Sequence, residues 1–135
     1  MTARSRWWIL MVFATTVAMS ACASSGASTA PPAQRGKSIA MRAGCTSCHG
    51  ATSIGGLGPT WTGLAGSTVK LDDGSTVVAD SSYLAESIRS PSAKKVNGYS
   101  IAMPAVPLSD DEVTALIAYI DSLAVRPPAT SGRPQ

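Results

Sequence analysis

At 135 residues, with only 14% charged and 5% aromatic side chains, the chain has room for one small domain and little aromatic bulk to fill its core. Its net charge of +3 is not the footprint of a nucleic-acid binder, because no basic stripe interleaved with aromatics is present. Without Arg4 and Arg6, which stand in the first few residues, nine basic side chains face eight acidic ones.

In chain order, Arg4 and Arg6 precede an uncharged apolar stretch, Trp7 to Ala18, which has the form of an export signal and is too short for a comfortable membrane span. It ends at Met19-Ser20-Ala21-Cys22, small residues before a cysteine, which resembles a bacterial lipoprotein cleavage site. That resemblance implies a signal peptide over residues 1–21 and a lipid on Cys22, anchoring the chain to a membrane face of the bacterial cell envelope or in the periplasm. Leu is usual where Met19 stands, so secretory cleavage without a lipid and an uncleaved anchor both stay open. Residues 22–33, almost all Ala, Ser, Gly, Thr and Pro, read as a flexible tether.

The folded domain is expected over residues 34–125. A first helix, Gln34 to Ala43, leads through Gly44 into Cys45-Thr46-Ser47-Cys48-His49. Cys-x-x-Cys-His is the attachment signal of a c-type haem: each thiol adds across one vinyl group, and the adjacent histidine faces the iron as an axial ligand. A zinc site is a poor rival, since it wants four N or S ligands and the chain holds three cysteines and one histidine, with Cys22 better explained by lipidation. A thioredoxin-like pair would need a surrounding βαβ pattern, and none is visible. A covalent haem also supplies the apolar mass that so short a domain lacks.

Farther on, Val69 and Leu71 are separated from Val77 and Val78 by Asp72-Asp73-Gly74-Ser75, a hairpin signal. A second helix, Ser82 to Ser90, sets Leu84 and Ile88 on one face and stops before Pro91. Of the two methionines beyond the leader, Met41 lies on the haem-attachment segment itself, whereas Met103, followed by Pro104, can reach over a haem as its second axial ligand. Ser109 and Glu112 form a capping box for a last helix carrying Val113, Leu116, Ile117 and Ile120 at helical spacing to about Leu123. The Pro-containing tail, 126–135, reads as disordered.

Gly36, Cys45-x-x-Cys48-His49-Gly50, Gly58-Pro59, Gly98-Tyr99, Met103-Pro104 and the terminal helix together resemble a class I cytochrome c. More narrowly, Gly58-Pro59-x-Trp61-x-Gly63-Leu64, the hairpin and Tyr83-Leu84-x-x-Ser87-Ile88-x-x-Pro91 are similar to the cytochrome c domain fused to subunit II of haem-copper oxidases. The resemblance implies an all-α fold, a small helical shell around one covalent haem c, here with a short β-hairpin insertion. It gives Pro59 the role of turning its carbonyl to the Nδ1 hydrogen of His49. Gly36 is to let the first helix approach the last, with Tyr119 facing it. Trp61 or Tyr99 is to hydrogen-bond a propionate or line the pocket, unless either is simply core. Arg89, Lys94 and Lys95 form a modest basic group that reads equally as a docking patch or a solvated loop.

These features imply a single-electron carrier, not an enzyme, passing electrons from a donor complex to a redox partner that the resemblance makes a haem-copper oxidase. Two alternatives remain: a cytochrome subunit of a larger respiratory or dehydrogenase enzyme, and a gas-binding or peroxidatic haem protein with a displaceable Met103. The single histidine disfavours the last, since no second one is present to serve as a distal acid or base.

Overall fold

Helix α1, Pro32–Arg42, begins two residues before the expected Gln34, because proline at the first helical position lacks only an N–H that the first turn leaves unused. Pro32 and Ala33, which composition assigns to the tether, are therefore helical. The computed structural model describes residues 30–125; the expected leader 1–21, Cys22, the tether as far as residue 29 and the tail 126–135 lie outside the described residues. Among the described residues, no helix is long and apolar enough to cross a membrane.

Gly36, Ile39 and Ala40 form the buried stripe of α1. It packs on α4, Asp110–Ser122, whose buried residues Val113, Ala115, Leu116, Tyr119 and Ile120 follow helical spacing. Gly36 is required at this contact: a Cβ there would stand 1.9 Å from the Ala115 carbonyl oxygen and 2.7 Å from the Tyr119 Cβ. Helix α4 opens with the expected capping box, the Glu112 N–H reaching the Ser109 hydroxyl at 3.3 Å and the Ser109 N–H reaching the Glu112 carboxylate at 3.0 Å.

Between these helices lie a one-turn helix α2, Thr46–His49, and helix α3, Ser81–Arg89. Asp80 caps α3 by accepting from the Tyr83 N–H at 2.8 Å, which sets its start one residue ahead of the expected Ser82. Strands β1, Thr68–Lys70, and β2, Thr76–Val78, pair antiparallel with Val69 opposite Val77. The shell is thus mainly helical, with the one short hairpin. Its apolar core forms one wall of a large cavity through Trp61, Leu84, Ile88, Leu116 and Ile120.

Candidate haem site

Gly44, at φ +77°, ends the run of α1, and the chain starts a new turn in which the Ser47, Cys48 and His49 amides bond back to Gly44 and Cys45. This turn is α2. It presents Cys45, Cys48 and His49 together to a cavity of about 670 Å³, which Met103, Pro59, Trp61 and Tyr99 also line. Both thiols are half-buried and, among the described residues, neither is in a disulfide. Burial pushes the Cys45 thiol up from its ordinary value, with the nearby Cys48 adding to the effect and a backbone hydrogen bond opposing it.

His49 is buried, and its ring orientation is specified from several sides. Its Nδ1 lies 2.7 Å from the Pro59 carbonyl oxygen. A carbonyl can only accept, so Nδ1 carries the hydrogen and Nε2 keeps its lone pair. Burial holds the imidazole below its ordinary value of 6.5, the Pro59 contact working against that, so the ring is neutral and can ligate. The Trp61 indole stacks on it, with centroids 4.6 Å apart and planes 22° from parallel. Gly58 closes another side: a Cβ there would lie 3.0 Å from the imidazole Cε1.

The loop that carries Gly58, Pro59 and Trp61 is held by Ser53, which no sequence pattern singled out. Ser53 is fully buried with φ at +61°. Its carbonyl receives the Trp61 and Thr62 N–H groups and the Thr60 and Thr62 hydroxyls, and its own hydroxyl lies 3.0 Å from the Tyr119 hydroxyl. Tyr119 in turn meets the Trp61 ring edge-on at 6.1 Å. The only sequence hint was Tyr119, expected to face Gly36; its bond to Ser53 spans 66 residues.

Met103 is half-buried on the cavity wall, whereas Met41 is exposed and does not line the cavity. Tyr99 stands partly exposed at the rim with Leu57 and Ile101. Neither Trp61 nor Tyr99 makes a side-chain hydrogen bond among the described residues. Of the basic group, Lys94 pairs with Glu86, and Arg89 with Asp110 at 2.6 Å, while Lys95 makes no ion pair among the described residues. Two of the three charges are thus balanced by neighbouring carboxylates.

The residues present fit a covalent haem. The cavity has the size of a cofactor pocket, and Leu84, Ile88, Leu116 and Ile120 give it an apolar wall. Two thiols, a neutral imidazole and a thioether on that wall are the donor set that c-type haem uses. The Ser87 hydroxyl, buried on the same wall, has no hydrogen-bond partner among the described residues, leaving a polar contact for a group in the cavity. Among the described residues, no group of three or more His, Cys, Asp or Glu side chains is arranged to hold a bare metal ion.

A family model described as cytochrome c matches residues 33–124. No curated protein matches the chain.

Proposed function

Because this chain belongs to the cytochrome c family, and is thus a haem-based electron-transfer protein that works with redox partner proteins, we propose that it is a monohaem carrier with Cys45 and Cys48 as the covalent attachment points and His49 and Met103 as axial ligands. The donor of electrons is a membrane complex and the acceptor a haem-copper terminal oxidase. Cys22 bears the lipid that holds the domain at an extracytoplasmic membrane face, and the linking residues let it move between partners in the membrane plane. The observation that carries this reading is that both thiols, His49 and Met103 line one apolar cavity.

When bound, the haem supplies one-electron chemistry through an iron that alternates between ferrous and ferric. The chain's own residues keep that change cheap. The Pro59 carbonyl, by accepting the Nδ1 hydrogen, leaves Nε2 free to ligate and makes the ring a stronger donor. Trp61 and Gly58 leave the imidazole little room to turn in either oxidation state. Met103 offers a soft, uncharged donor that favours the ferrous state and so raises the potential. The apolar wall keeps water away, and the rim at Leu57, Tyr99 and Ile101 leaves an uncharged approach for a partner.

Met103→Ala tests this assignment. The variant should keep its covalent haem, bind carbon monoxide rapidly when reduced, and show a lower reduction potential. Ligand binding and potential unchanged from the parent protein would remove Met103 from the iron.

A further inference from the structure

The hairpin supplies no donor to the haem, yet its free edge is tied to the segment that carries Met103. Beyond β1, the Leu71 N–H bonds to the Ser75 carbonyl, which belongs to the hairpin. The neighbouring groups point to the other edge, as alternation along a strand demands. There the Asn97 N–H donates to the Lys70 carbonyl at 2.9 Å, and the Asp72 N–H donates to the Lys95 carbonyl at 3.0 Å. Leu71 and Val96 face each other across this antiparallel bridge. Leu71 is 3% exposed and Val96 packs against the core, so the bridge is sealed by apolar contact as well.

The bridge stands at the head of a long untied stretch of chain. From Gly98 to Leu108 the backbone makes no hydrogen bond to backbone among the described residues, until Ser109 begins the cap of α4. Met103 stands midway along that stretch. The bridge is therefore the last backbone tie before the thioether on its N-terminal side. Without it, the connection between α3 and α4 would have no backbone tie beyond the Ala93 N–H bond to the Ser90 carbonyl, with more conformations to lose on ligation.

We propose that the hairpin is a clasp for the Met103 segment, in which the Asp72 and Asn97 amides set how readily the thioether leaves the iron. Asp72 and Asn97 are positioning residues: they act through the backbone and need not touch the haem. The proposal rests on Met103 being the axial ligand.

Proline can remove each bond with little local disturbance. The Gly74 N–H bonds to the Leu71 carbonyl at 3.1 Å, making Asp72 the first corner of a β-turn, a position that proline favours. Asn97 shares a turn with Gly98, whose φ of +89° is of the sign that a type II turn needs at its second corner, and the first corner of such a turn accepts proline. Each substitution deletes one donor of the bridge. Asp72→Ala is the control, since it removes the carboxylate and keeps the N–H.

The test is an imidazole titration of the ferric, haem-loaded protein followed by absorption, with hydrogen exchange at the Asn97 amide as a second readout. Losing one net backbone hydrogen bond should raise the apparent imidazole affinity about three- to tenfold in Asp72→Pro and in Asn97→Pro, because more of the protein has its Met103 segment open. Asp72→Ala should bind as the parent does, and Asp72→Pro should speed exchange at Asn97. Faster exchange at Asn97 in Asp72→Pro, with imidazole affinity unchanged in both proline variants, would overturn the clasp. Parent protein binding imidazole as tightly as Met103→Ala would instead overturn the ligand assignment, and the clasp with it.

Discussion

Ser53 has a small polar side chain and belongs to no motif, yet it is wholly buried in a left-handed conformation that costs a non-glycine residue about 1–2 kcal/mol. Its carbonyl and hydroxyl hold that geometry by joining the His49 loop to α4 through Tyr119. Removing one hydroxyl strands the other in the interior, a loss of about 1–3 kcal/mol, whereas removing both leaves nothing unpaired. Ser53→Ala and Tyr119→Phe should therefore each lower stability by that amount, and the double variant should cost clearly less than their sum. Denaturant unfolding of the four haem-loaded proteins checks this; additive losses would mean that the 3.0 Å contact carries no coupling. The residues that hold His49 differ in how visible they were in sequence. Pro59 stood out through a family resemblance, but the Trp61 stack and the Ser53 bonds depend on a loop folding back on itself, and no local periodicity reports such a return.

Among the elements, the capping box of α4 also links that helix to α1, because Glu112 meets Arg42 at 3.1 Å. The Ser109 N–H, followed by the Ser109 hydroxyl and Arg42, holds the Glu112 carboxyl below its ordinary value of 4.5. A lowered folded-state value means stabilisation that is present above pH 4.5 and lost as pH falls through the folded value beneath it. Gln at this position keeps the capping geometry and loses only the charge. Glu112→Gln should thus have a lower Tm than the parent at about pH 6, with the gap narrowing as pH falls below 4.5. Thermal scans across that range decide it, and a gap independent of pH would show that the carboxylate's charge contributes nothing. Helix α4 was legible in sequence because its cap and apolar stripe are both local patterns. The hairpin was legible for the same reason. Helix α2 was not, since a single turn has no periodicity to read, and neither was the bridge from Leu71 to Val96, which is a pairing across 25 residues.

Taken as a whole, the molecule is a shell with few aromatics around a partly open cavity of about 670 Å³, large for a domain of this size. A cavity of that size with an apolar wall suits a cofactor, and a covalent haem would supply apolar mass that so short a domain lacks. With Cys45 and Cys48 on one short turn and Met103 far along the chain, the proposed attachment and ligation would make the group a brace between the α1 end of the shell and the segment before α4. The most direct test is the absorption spectrum, oxidised and reduced, of the full chain produced with haem-attachment machinery. The expected spectrum has c-type bands that survive denaturation, reversible one-electron reduction and the weak ferric band of methionine bound to iron. Absence of covalently held haem, with the attachment machinery active on a control cytochrome, would contradict a cavity built for that group.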